Sequence, residues 1–188
     1  MKFSRQNKKI GRDTLIFNMD SATNCPSKKL GLCDIHKSCY ALKAEKMYKS
    51  VLPYRQLQHD LWINQSVIEI SKEIKAFLTN KRLKTPIKYV RFNESGDFNS
   101  QSDVNKLIKL ALLTPNVIFY GYTHRIDLNY DNLPDNLVIN GSGFMIDNNF
   151  KVIDKSETNN YKLICPNNCR KCNLCKNKSN KVIAVIKH

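Results

Sequence analysis

Residues 88–98 read KYVRFNESGDF, and the fold follows from them. KYVRF is a short run rich in β-forming residues and reads as a buried strand. The polar stretch behind it contains Gly96, which permits a tight turn. Residues 102–113 then carry Val104, Leu107, Ile108, Ala111 and Leu112 at helical spacing, and Pro115 ends the run. VIFYGYT, residues 117–123, is again a strand. Strand, helix, strand with short connections is the signature of a parallel α/β sheet.

Outward from this unit the pattern repeats. LVIN (137–140) and VIAVI (182–186) read as strands, and an extra strand covers 151–154. Upstream, DTLIFNM (13–19) is a short apolar strand. A cysteine-bearing loop follows, from Ser21 to Cys39. YALKAEKMYKSVL (40–52) reads as a helix stopped by Pro53, and a second helix runs through QLQHDLW (56–62). Ser66 and Glu69 form a capping-box pattern. That box opens a third helix with Val67, Ile70, Ile74 and Phe77 on one face. The expected architecture is a single α/β domain over residues 1–188. Its mostly parallel sheet has about five or six strands with helices, partial-barrel-like because eight would be needed for closure. A C-terminal cysteine-rich metal-binding loop completes it.

The 188 residues carry 31 Lys and Arg against 16 Asp and Glu, a formal charge of +15. That excess points to a polyanionic partner, with nucleic acid the first candidate. The competing source is composition, since Asn, Lys and Ile abound here as AT-rich genomes favour them. No stretch is long and apolar enough to span a bilayer. The charged start, MKFSRQNKKIGRD, lacks the apolar run of a signal peptide. The expected compartment is cytoplasmic, where thiols stay reduced.

Seven cysteines in such a chain read as metal ligands. The densest run is CPNNCRKCNLCK, with Cys165, Cys169, Cys172 and Cys175 spaced C-x3-C-x2-C-x2-C. A cubane iron–sulfur cluster takes one thiolate per iron from such a loop. A structural zinc site usually takes two separated knuckles and is the alternative metal. The second group is Cys25, Cys33 and Cys39, spaced C-x7-C-x5-C and followed by Tyr40. Three thiolates on a four-iron cluster would leave one iron open to a substrate or cofactor. A fourth ligand, His36 or a C-terminal cysteine, and a structural zinc are the alternatives. One or two [4Fe-4S] clusters are therefore expected, and whether the two cysteine groups share a site stays open.

The third constellation, Arg91-Phe-Asn-Glu-Ser-Gly-Asp97, begins on the strand at 88–92 and runs past its C-terminal end, the edge where α/β folds bind ligands. Glu94, Ser95 and Asp97 crowd around Gly96 there. Thr123, His124 and Arg125 leave the next strand at the same edge, and Asn140-Gly-Ser-Gly143, with Ser142, leaves the one after. The bland alternative for the first loop is a set of ordinary capping residues.

The blocks CPSKKLGLCDIHKSCYALKAEKMYKSVLPYR, RFNESGDF, FYGYTHR, INGSGF and CPNNCRKCNLCK resemble, in this order, the phage and mobile-element family called gene product 88. That resemblance implies a phage or prophage origin more than a reaction. A looser resemblance is to the opening of radical S-adenosylmethionine enzymes. There a three-cysteine loop holds a four-iron cluster, and a Gly/acidic loop contacts the cofactor's amino group. It implies that Cys25, Cys33 and Cys39 hold the cluster. Glu94, Ser95, Gly96, Thr123 and Ser142 would bind S-adenosylmethionine, and Glu94, Asp97, His124 and Arg125 would serve catalysis. The wide cysteine spacing departs from the usual C-x3-C-x2-C. The expectation is an iron–sulfur enzyme acting on nucleic acid or a nucleotide-like anion. The alternative is a non-enzymatic, metal-stapled basic protein that binds nucleic acid or inhibits a host defence complex.

Overall fold

The computed structural model describes residues 1–7 and 9–187. A seven-stranded sheet organises it: β1 (Ser4–Arg5), β2 (Thr14–Phe17), β3 (Tyr89–Phe92), β4 (Ile118–Thr123), β5 (Leu137–Ser142), β6 (Asn148–Ile153) and β7 (Val182–Ile186). The strands lie side by side in chain order. β1 pairs antiparallel with β2, and every later pair is parallel. Consecutive order with parallel pairing is a singly wound sheet. It has no reversal point of the doubly wound kind. Right-handed crossovers then place the helices on one face.

Among the described residues there are five α-helices: α1 (Pro26–Lys29), α2 (Tyr40–Met47), α3 (Val51–Asn64), α4 (Val67–Leu78) and α5 (Gln101–Leu113). The strand residues facing them, Leu15, Phe17, Val90, Phe92, Phe119, Leu137 and Ile139, are buried against Trp62, Ile70, Ile74, Val104 and Leu107. Trp62 stacks on Phe17 at 5.4 Å and donates its indole N–H to Asp103 at 2.8 Å. The opposite face carries Tyr120, Val138, Phe150, Cys175 and Ile183, with Tyr89 and Tyr122 packed beside them. The period-two alternation along YVRF thus divides two environments.

The capping box forms as expected, with Ser66 and Glu69 each satisfying the other's backbone N–H. Three expectations change. Pro53 does not stop a helix. It sits in the first turn of α3, where a missing N–H costs no intrahelical bond, and the chain breaks earlier, after Met47. In α5 the buried position is Leu110, whereas Leu112 is 62% exposed. The sheet has seven strands rather than five or six: the extra strand expected at 151–154 forms as β6, and β1 adds a seventh by pairing with β2.

Residues 143–147 alone join the parallel strands β5 and β6. Asn148 pairs opposite Asn140, so the link retraces only a short length. No helix accompanies it. Segment 163–165 bridges the far edge of β7, with Cys165 N–H donating to Ala184 at 2.8 Å.

Candidate functional site

Because β2 to β7 are parallel, their C-terminal ends share one rim. A cavity of about 740 Å³ opens there. The loop between β2 and α2 supplies Cys25, Cys33 and Cys39 to its lining. The loop after β3 supplies Glu94, Ser95, Gly96 and Asp97, and later strand ends supply His124 and Ser142. Cys165 and Cys169 reach the same cavity from the C-terminal loop. Cys172, Cys175, Thr123 and Arg125 do not line it.

The two loops that meet under the cavity are joined by hydrogen bonds. Asn93 lies at φ 52°, in the left-handed region, and its Oδ1 accepts from Met19 N–H at 3.3 Å. Gly96 has φ +71°, and a Cβ there would stand 2.4 Å from the Asp20 carbonyl oxygen. Only glycine lets the Glu94 loop lie directly on the backbone after β2.

Glu45 of α2 holds the start of the cysteine loop. Its carboxylate accepts from Ala22 N–H at 2.7 Å, Thr23 N–H at 2.9 Å and Arg55 at 2.8 Å. Burial pushes its pKa up, but these donors outweigh burial and hold it below the usual carboxylate range.

Asp97 is buried, and both its oxygens are engaged. Oδ1 accepts from Phe98 N–H and Thr123 Oγ1, and Oδ2 from Ser27 Oγ and His124 N–H, at 2.6–2.8 Å. Burial raises its pKa against these four donors. It therefore joins α1, its own loop and the end of β4, which makes it a positioning residue.

Arg125 spends its guanidinium on Asp127 at 2.8 Å and on the carbonyls of Phe98 and Asn99. Glu94 is half-buried; its Oε1 accepts from Asn7, and its carbonyl accepts from Tyr40 at 2.7 Å. His124 is half-buried on the cavity wall, and burial lowers its pKa.

All seven cysteines are free thiols. Burial pushes Cys25 up to about 12, and a nearby Cys33 adds to the rise. Cys33 senses Cys39, and Cys165 senses Cys169 and Cys172. These couplings run within each group, while Cys165 and Cys169 share the cavity with Cys25, Cys33 and Cys39. Cys175 is buried beneath the sheet, in the cluster of Tyr120, Val138, Phe150 and Ile183 against which Tyr122 packs. Asn140 Nδ2 donates to the Cys175 carbonyl at 3.0 Å, and Lys176 donates to the Cys169 carbonyl at 3.2 Å. Among the described residues no three His, Cys, Asp or Glu side chains are gathered as around one metal ion. Four thiolates on one zinc stand about 3.8 Å apart, given Zn–S near 2.3 Å. A cubane takes one thiolate per iron and spreads them wider. Two groups of free thiols fit such a cluster as a donor set, while their present spacing is not that of a single-ion site.

Arg91 and Asn93 also line the cavity; both lie inside the Arg91–Asp97 stretch, where the sequence points to Glu94, Ser95 and Asp97 instead. The available signal was a charge at an inward-facing position of an otherwise apolar strand.

A singly wound parallel α/β domain with five thiols opening on one rim cavity defines the class. The family model described as gene product 88 matches residues 1–181, and the chain belongs to that family. No curated protein and no solved structure matches it. Among the described residues, no helix is long and apolar enough to cross a membrane.

Proposed function

We propose that this is an iron–sulfur enzyme of radical S-adenosylmethionine-like layout, working in the host cytosol. Cys25, Cys33 and Cys39 would hold a four-iron cluster with one open iron. Cys165, Cys169, Cys172 and Cys175 would hold a second. One observation carries the reading: the first three cysteines and Glu94 line one cavity, at the same edge of the neighbouring parallel strands β2 and β3. When bound, a reduced cluster of this kind supplies the electron that cleaves S-adenosylmethionine.

The chain's own residues would do the rest. Glu94 offers a carboxylate to the cofactor's amino group. Ser95, Gly96 and Ser142 bring small side chains or backbone close to it. Thr123 acts through Asp97 and not by contact, and Asp97 and Arg125 hold the wall in place. His124 is placed to exchange a proton with a substrate. The +15 charge favours nucleic acid or a nucleotide-like anion as substrate.

The test is anaerobic purification with iron, acid-labile sulfide and zinc analysis. It is followed by reduction and assay for methionine and 5′-deoxyadenosine. Brown protein that cleaves S-adenosylmethionine, with weaker cofactor binding in Glu94→Gln, is the expected result. Colourless protein with stoichiometric zinc and no sulfide rejects it. So does a cluster-loaded protein that never cleaves the cofactor. Either outcome favours the basic, metal-stapled binder of nucleic acid or of a host defence complex.

A further inference from the structure

The cavity floor carries two buried hydrogen-bond donors with nothing to donate to. Arg91, on β3, points its side chain to the face opposite the helices. Its Nε is buried without an acceptor, and among the described residues no hydrogen bond or ion pair reaches its guanidinium. Its close contact is the face of Tyr122, 5.3 Å from the ring centroid. Two residues on, the Nδ2 of Asn93 is likewise buried and unpartnered. Both residues line the cavity.

Buried donors nearly always find an acceptor. Two orphans facing one open space therefore define what is missing from it. Glu94 lies near enough to act on the charge of Arg91, yet neither it nor Asp97 makes a hydrogen bond or ion pair with either donor. Both oxygens of Asp97 are taken by other donors, and Glu94 gives its Oε1 to Asn7. We propose that Arg91 and Asn93 form an oxyanion subsite, binding the phosphate or carboxylate group of a small-molecule ligand at the cavity floor. The planar guanidinium suits a two-oxygen grip on either group. Lys28 and Lys187 also line the cavity, and with Arg91 they outnumber the carboxylates Glu94 and Asp97 there, which favours an anion. A volume near 740 Å³ suits a small molecule, and the Tyr122 and Phe150 rings offer an apolar wall for its uncharged part.

The subsite rests on the proposed function only in taking this cavity as the ligand site; it needs no metal. Calorimetry on the purified protein with adenosine monophosphate, succinate and adenosine tests it. One of the two oxyanions should bind at least tenfold more tightly than adenosine, and which one does so identifies the source as phosphate or carboxylate. Arg91→Gln should weaken that binding at least tenfold, with Arg91→Lys intermediate. Should Arg91→Gln fail to fold, phenylglyoxal labelling of the wild-type protein replaces it, with Arg91 expected to be protected by the oxyanion. Neither oxyanion binding, unchanged affinity in a folded Arg91→Gln, or labelling without protection overturns the subsite. Iron and sulfide analysis of the same sample separates the two ideas. Oxyanion binding without a cluster rejects the enzyme and keeps the subsite. Cofactor cleavage with unchanged oxyanion affinity in Arg91→Gln does the reverse.

Discussion

The Oδ1 of Asn18 accepts a hydrogen bond from the backbone N–H of Ser95 at 2.7 Å, fastening the loop after β2 to the loop after β3. The same Asn18 donates to Gln58 of α3 at 2.8 Å, so three segments distant in the chain meet at one amide. This junction lies under the cavity and keeps the cysteine loop and the Glu94 loop in register.

Gly96→Ala should break that junction. The added methyl meets the Asp20 backbone, and the left-handed φ strains any L side chain. The expected loss is about 1–3 kcal/mol of stability. Denaturant unfolding measures it, and a variant as stable as the wild type would show that the two loops do not touch.

Glu45 predicts a pH dependence. Its pKa in the folded state lies below the unfolded value near 4.3. Its stabilisation is therefore present above the unfolded pKa and disappears as pH falls through the folded one. Glu45→Gln should cost on the order of 2–3 kcal/mol at neutral pH. The gap to wild type should narrow as the solution is acidified below about pH 4. Melting curves across pH check the sign; a gap that widens on acidification contradicts it.

The grouping of the thiols predicts separable metal sites. Cys33→Ala should lose the metal of the N-terminal group and keep that of the C-terminal group, and Cys172→Ala the reverse. Metal analysis of both variants decides. Complete loss in each would mean one shared site, which the common cavity lining of Cys165 and Cys169 makes the competing outcome.

The charge predicts salt-sensitive binding. Single-stranded or structured RNA or DNA should bind at low ionic strength, and the affinity should fall linearly on a log–log plot against salt. No binding at low salt would reduce the excess of Lys and Arg to codon bias.

Much of the frame was legible because it follows local rules. The run 88–123 announced strand, helix and strand by periodicity, and Ser66 with Glu69 announced a helix start by side-chain reach. β1 was not legible: two polar residues have no periodicity, and only pairing with β2 makes them a strand. Pro53 misled because a proline that ends one helix and one that opens the next look alike in sequence. At the site, the shared rim of the cysteines and Glu94 followed from parallel strands. Arg125 was placed at that rim, but its bracing role could not be read, since its partners Phe98 and Asn99 are met only in three dimensions. Arg91 was hidden for the converse reason, since only the fold reveals that it has no partner.

The helix-free link between β5 and β6 makes the cavity mechanically lopsided. β2 is buried at every position behind helices, whereas β6 and β7 each carry exposed and half-buried residues among the buried ones. The β6–β7 flank, which carries Phe150 and pairs with the segment of Cys165, is therefore expected to open locally more readily than the helix-backed flank that leads into Cys25, Cys33 and Cys39. Amide hydrogen exchange would register that asymmetry as faster opening in residues 148–186 than in residues 14–17 and 89–92.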